Sequence, residues 1–263
     1  MPKPVGLIVG TGVDTIQLLS DAIDSSVQTP FGDVVYARGF LDEVDVCLLK
    51  RHGEGHAVPP HRINYRANIM ALYMLGVRRV VTTSAVGSLK PGLAPGSFAL
   101  MAGFLDFTHA REHTFFDVGK VVHTDMTFPY DPALTDILAA SLRDVGAAVH
   151  TDQVYAAAEG PRFESPQEVA MYAAMGGSVV GMTGIPEVTL AREARLAYQT
   201  IAIITNYASG ISRSLLTHAE VLEAMAAASG TVVDVLRRSL PRIAQLPEVS
   251  AEDAGILDFL LGK

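Results

Sequence analysis

The feature that most restricts the fold of this chain is a repeated alternation. Short apolar runs ending on small or polar residues are separated by stretches with helical periodicity. Val5 to Val9 ends on Gly10-Thr11-Gly12, Val44 to Leu49 on Arg51-His52-Gly53, and Val80 to Thr83 on Ser84-Ala85-Val86-Gly87-Ser88. Ser178 to Gly181 runs into Met182-Thr183-Gly184, and Ile201 to Ile204 into Thr205-Asn206-Tyr207-Ala208. Phe98 to Met101 is a further strand, and Thr29-Pro30-Phe31-Gly32-Asp33 reads as a turn between two short ones. Between these runs, Pro59-Pro60 opens a predicted helix from about His61 to Leu75, and Asp131-Pro132 one to about Val145. Pro186 reads as a first-turn proline for a helix over Val188, Ala191 and Ala194. Thr217-His218-Ala219-Glu220 is a capping box for a long C-terminal helix to about Leu240. This alternation predicts an α/β sheet covered by helices, with polar loops gathered beyond the strand ends, where open α/β sheets keep their sites. No repeat or linker interrupts it, so residues 1–263 are expected to form one domain.

Composition narrows the function classes. A chain of 263 residues, 49% hydrophobic and 18% charged, has enough apolar surface for a large core and too little charge for disorder. A net charge of −8 with no Lys/Arg cluster argues against nucleic acid or an anionic membrane as partner. Cys47, the only cysteine, excludes an internal disulfide and reads as a small core residue. The first apolar run is too short for a signal peptide and no run spans a bilayer, so a cytoplasmic location is expected.

One irregular stretch stands out, Glu159-Gly160-Pro161-Arg162-Phe163-Glu164, followed by the capping box Ser165-Pro166-Gln167-Glu168. Phe163 and Glu164 thus sit just before a helix begins, a flat ring beside an acceptor, which suits a flat heterocycle. On these residues alone the plainer reading, a core ring and a first-turn acid, is the better one. Gly10-Thr11-Gly12 lacks the third glycine of a dinucleotide fingerprint, Thr15 standing in its place. What is left is a tight turn with a hydroxyl, suited to an anion or simply to a change of direction. Arg51 offers a planar fork able to hold two phosphate oxygens. His52 and His56 lack a third ligand at metal spacing, so no metal site is expected. The segment from Asp106 to Phe116 mixes His with Phe and reads as a lid, a subunit contact or a loop packed on the body.

Taken together, Arg51-His52-Gly53, Asn64-Tyr65-x-Ala67-Asn68, Ala85-x-Gly87-Ser88, Glu159-Gly160-Pro161-Arg162-Phe163, Gly181-Met182-Thr183 and Pro186-Glu187 resemble the trimeric purine nucleoside phosphorylase family, and within it the methylthioadenosine phosphorylase subfamily. The resemblance runs from about Val5 to the C-terminal helix. It implies a single domain with a mixed central β-sheet, a homotrimer in which the segment from about Thr108 to Phe116 reaches the neighbouring subunit, and phosphorolysis of a purine nucleoside. Phosphate attacks the anomeric carbon with inversion and the base leaves; phosphate is a co-substrate, and no metal or organic cofactor is needed. Thr11, Arg51, His52, Ser84, Ala85 and Thr183 fall on the family's phosphate positions. Phe163, Glu164, Met182, Asn206, Ala208 and His218 fall on its substrate positions. The resemblance assigns the catalytic roles to Asn206, Arg51 and His52.

The departures from the subfamily pattern concern the substrate. Adenine-directed members carry aspartates after the last strand, whereas this chain has Thr205-Asn206-Tyr207-Ala208. Asn206 resembles the asparagine of 6-oxopurine enzymes, and an ionised Glu164 accepts from N1–H of hypoxanthine or guanine but meets a lone pair on N1 of adenine. Selectivity of this kind reaches ~10⁴-fold. His218 falls where 6-oxopurine enzymes bind the ribose 5′-hydroxyl, which favours inosine and guanosine, with 5′-methylthioinosine and 5′-methylthioadenosine as the alternatives. A phosphate-independent nucleoside hydrolase would not need the anion residues. A purine-binding protein without turnover would leave them unexplained, and a nicotinamide oxidoreductase lacks its glycine.

Overall fold

In the computed structural model, which describes residues 3–13, 17–117, 119–212, 217–247 and 257–262, the apolar runs become the strands of one mixed sheet. They are β1 (Val5–Val9), β2 (Ser20–Thr29), β3 (Gly32–Leu41), β4 (Val44–Lys50), β5 (Arg79–Ser88), β6 (Phe98–Asp106), β7 (Val149–Ala157), β8 (Val179–Gly181) and β9 (Ala197–Tyr207). The helices are α1 (Tyr65–Met74), α2 (Pro132–Asp144), α3 (Pro166–Ala174), α4 (Gly184–Glu193) and α5 (His218–Ala244). Asp14 and Thr15, beyond the first glycine turn, lie outside the described residues.

Strand order is β2-β3-β4-β1-β5-β8-β7-β6-β9, and β9 also pairs in parallel with β5. The strands β5, β8, β7, β6 and β9 therefore close on themselves, while β1, β4, β3 and β2 extend from β5 as an open wing. β1 lies between parallel neighbours β4 and β5 and is buried along its length, which is why its sequence is continuously apolar rather than alternating. β2 ends the wing and carries Ser20, Asp21, Asp24 and Ser25, polar residues that blunt an exposed edge.

One face of the sheet buries Ile69 and Met70 of α1 against Val188 and Ala191 of α4. The other buries Leu134 and Leu138 of α2 against Met225, Val232 and Leu236 of α5. Cys47 is fully buried on β4, and burial pushes its thiol up to about 11, consistent with a packing residue. No helix among the described residues is long and apolar enough to cross a membrane.

Several elements differ from the periodicity reading: β6 runs on to Asp106, and β2 and β3 are ten residues each rather than short. The helix expected from His61 starts at Tyr65, because Ile63 is extended and the Asn64 side chain accepts from the Ala67 amide as its N-cap. Ser84 to Ser88 is strand, not loop: β5 continues through it because its two flanks pair with β8 and β9. Likewise Asn206 stands within β9 rather than after it. Small and polar residues at these strand ends hid the β structure. The capping boxes at Ser165 and Thr217 both form.

Candidate active site

The strand ends on one side of the closed ring, together with β1 and β4 beside it, open onto a cavity of about 370 Å³. Thr11 and Arg51 reach it from beyond β1 and β4, and His52 follows Arg51. Ser84 and Ala85 line it from β5, Asn206 from β9 with Ala208 just beyond, and Met182 and Thr183 from the turn between β8 and α4. Phe163 and Glu164 enter from the loop between β7 and α3, and His218 from the first turn of α5. Every residue that sequence reasoning placed in a phosphate or substrate role thus borders this one cavity.

One part of the lining is a cluster of hydroxyls and imidazoles. Ser84 Oγ lies 3.4 Å from Thr183 Oγ1 and 3.4 Å from the Tyr155 hydroxyl. That hydroxyl accepts from the amides of Thr183 and Gly184, both at 3.3 Å, and so fixes the turn that presents Thr183. Gly181 and Gly184 make room for it, since a Cβ at Gly181 would lie 2.1 Å from the Tyr155 oxygen. His52 Nδ1 sits 2.8 Å from the Val58 carbonyl, which can only accept, so Nδ1 carries the hydrogen. In the neutral ring this tautomer leaves the acceptor at Nε2. Its ring stacks on His56 with centroids 4.0 Å apart, and His56 Nε2 lies 3.5 Å from Thr11 Oγ1.

Arg51 is arranged differently from the clamp expected of it. Its side chain is buried, and Nε and Nη2 each donate at 2.8 Å to the two carboxylate oxygens of Glu187. Nη2 also donates to Thr82 Oγ1, and Nη1 donates at 3.0 Å to the Thr83 carbonyl. The two-pronged edge is engaged inside the protein and cannot close on phosphate; only Nη1 has an N–H to spare. Arg51→Ala is consequently a poor probe of the anion, because it would strand a buried carboxylate at a cost of about 3–5 kcal/mol. Thr183→Val tests the site more cleanly. It is expected to raise the phosphate concentration at half-saturation about tenfold, the worth of one hydrogen bond to a charged group, with little change for nucleoside.

Glu164, Asn206, Phe163 and Met182 form another part of the lining. Glu164 is 7% exposed; its carboxylate accepts from its own amide and has no cation bonded to it among the described residues. Burial raises its pKa, and the charge of Glu168 adds to the rise against the opposing pull of Arg162. Arg162 is itself held 2.7 Å from Glu168. Asn206 Nδ2 donates to the Tyr207 carbonyl at 3.0 Å and its Oδ1 accepts from Thr205 Oγ1 at 2.7 Å, so its neighbours settle which end is nitrogen. Phe163 is 38% exposed at the mouth, and Met182 packs beneath Gly160, where a Cβ would lie 2.6 Å from its sulfur.

The segment from Asp106 to Phe116 is fastened to its own chain. Glu159 accepts from the amides of His109 and Ala110 and from Arg111 Nε. Glu193 takes the Thr114 hydroxyl and the Phe115 amide, both at 2.7 Å, and Phe115 is fully buried. Phe115 and Phe116 are therefore buried against their own chain, while Phe107 is half-buried and His109, Ala110 and Glu112 stay exposed. Burial alone would raise the Glu159 pKa, yet these amides and Arg111 hold it below the usual range. Sequence reasoning assigned no role to Tyr155, Thr205 or His56, and quoted Glu187 only as part of a motif. No group of three His, Cys, Asp or Glu side chains among the described residues is placed to hold a metal ion.

A cavity lined by hydroxyls, imidazoles, a buried carboxylate and an amide thus opens on a mixed sheet partly closed on itself, an architecture shared with nucleoside-processing enzymes of the phosphorylase type. A family model described as the phosphorylase superfamily matches residues 4–241, and the chain belongs to that superfamily, among its purine nucleoside phosphorylases. A probable 6-oxopurine nucleoside phosphorylase of Dictyoglomus turgidum is 46% identical over 91% of each chain. A probable S-methyl-5′-thioinosine phosphorylase of Methanocaldococcus jannaschii is 49% identical over 83% of this chain and 84% of its own. The solved structure of methylthioadenosine phosphorylase from Schistosoma mansoni in complex with adenine superposes with a TM-score of 0.90 at 32% identity, covering 99% of this chain and 98% of that one.

Proposed function

We propose that the protein cleaves 6-oxopurine nucleosides with inorganic phosphate, giving free base and ribose 1-phosphate. The observation that carries this reading is the pairing of Glu164 with Asn206 at the base end of a cavity whose other end is lined by Thr11, Ser84 and Thr183. A phosphate oxygen forms a bond to C1′ as the bond from C1′ to N9 breaks, and the electron pair passes to the purine. Asn206 donates to O6 and faces N7, where that charge gathers, while Glu164 accepts from N1–H. The anion groups hold the nucleophile in line with the sugar. The names of the two relatives, both for 6-oxopurine substrates, support the choice of base.

At the ribose end, His218 at the start of α5 provides a partner for the 5′-hydroxyl. A second reading, 5′-methylthioinosine, is favoured by Val221 beside it and Leu222 in the adjoining cavity. Incubation with inosine, guanosine, adenosine and both 5′-methylthio analogues, with and without phosphate, tests both readings. The expected result is turnover of 6-oxo substrates only when phosphate is present; equal turnover without phosphate would point to a hydrolase. We infer further that the enzyme is a cytoplasmic homotrimer that needs no metal or organic cofactor. Val121 at 81% and Phe128 at 66% exposure are apolar surface that a neighbouring copy would cover. Light scattering is expected to give three times the 28.0 kDa chain mass; a monomer with full activity contradicts it.

A further inference from the structure

We propose that Glu187, a residue with no role in the reading above, is a positioning residue that dictates how Arg51 meets phosphate. The inference rests on the phosphorylase reading. Glu187 lies in α4, 136 positions from Arg51, and is fully buried. A guanidinium has five N–H donors. Nε and one hydrogen of Nη2 are spent on Glu187, the other hydrogen of Nη2 on Thr82, and one of Nη1 on the Thr83 carbonyl. That leaves a single donor, on Nη1, the atom a Cβ at Gly10 would approach to 2.7 Å. It therefore emerges beside the Gly10-Thr11 turn that borders the anion end of the cavity.

Glu187 cannot turn away, because the buried Tyr198 hydroxyl donates to its Oε1 at 2.7 Å. The pair is neutral as a whole, so Arg51 contributes a directed donor rather than an uncompensated charge. It also braces two walls of the site, since α4 begins with the Thr183–Gly184 turn and Arg51 follows β4.

Glu187→Gln keeps the shape but places an amide N–H2 against a guanidinium N–H. One of the two bonds to Arg51 then becomes a clash of donors, and the guanidinium must rotate. The phosphate concentration at half-saturation is expected to rise about tenfold or more while that for inosine stays within about twofold. The upward shift in unfolding temperature produced by inorganic phosphate, measured without nucleoside, should shrink in parallel. Unchanged phosphate saturation overturns the proposal; tighter phosphate also overturns it, because Glu187 would then act only by cancelling charge. If the glutamine variant does not fold, Tyr198→Phe decides the matter: it keeps the ion pair, frees the carboxylate to turn, and is expected to weaken phosphate about threefold with inosine unaffected. No change there would likewise overturn it. A wild-type enzyme that cleaves inosine without phosphate refutes the phosphorylase reading instead, an outcome distinct from these.

Discussion

Glu164→Gln is expected to lower kcat/KM for inosine by about 100-fold, the upper range for losing a hydrogen bond to a charged group. It should also make the protein harder to unfold at neutral pH. The reason is the burial that raises the Glu164 pKa with no bonded cation among the described residues in compensation. A carboxyl whose folded pKa lies above its unfolded value binds more protons when folded. Stability therefore falls as pH climbs from the unfolded value toward the folded one, and the full penalty applies above the folded pKa. Replacing the acid with an amide removes that penalty. Thermal unfolding of the variant should exceed that of wild type at pH 7–8, and the gap should close at acid pH, where both forms are neutral. Loss of activity with lower stability throughout would show that Glu164 is bonded for structure rather than held ready for a purine N1–H.

The second large effect is a change of base. Asn206→Asp is expected to cut inosine turnover about 100-fold and to bring adenosine or methylthioadenosine up relative to it, by about tenfold in the ratio. Nδ2 of Asn206 faces the Tyr207 carbonyl, an acceptor. An aspartate there places two acceptors together unless it takes a proton, and as an acid it would lose the donor aimed at O6. Glu164→Gln should not produce the same change in ratio, because it leaves the 6-position read as before. The comparison of the two variants separates altered recognition from general damage to the cavity. If wild type already cleaves adenosine as efficiently as inosine, the base assignment falls.

The residues that line the cavity were easier to pick out from the sequence than the backbone that carries them. Thr11, Ser84, Thr183 and Asn206, which follow apolar runs, and Glu164, just before α3, all border one cavity, and the roles expected of them rest on the family resemblance rather than on any local pattern. The same residues concealed the length of β5 and β9, since Ser84 to Ser88 and Thr205 to Tyr207 look like turns until their partners across the sheet are known. The start of α1 was misjudged because Pro59-Pro60 mimics a helix opening, whereas the cap is Asn64. Arg51 shows the limit most plainly. Its residue type spoke for a phosphate clamp, but Glu187 takes the two-pronged edge from far along the chain, and nothing local to Arg51 announces that.

The closure of β5, β8, β7, β6 and β9 into a ring has a bearing on how such an enzyme can change its substrate. A ring has no free margin along which one strand can slide against the next without breaking ladders on both sides. Ser84 and Asn206, on adjoining strands of that ring, therefore keep a fixed separation, and with it, under the function proposed above, the span between phosphate and base. New substrates must then arise by exchanging side chains at the rim, not by reshaping the frame. A backbone that matches a methylthioadenosine phosphorylase with a TM-score of 0.90 at 32% identity is what such a division of labour leaves behind: a rigid gauge set to one glycosidic bond, fitted with interchangeable readers for what hangs at either end.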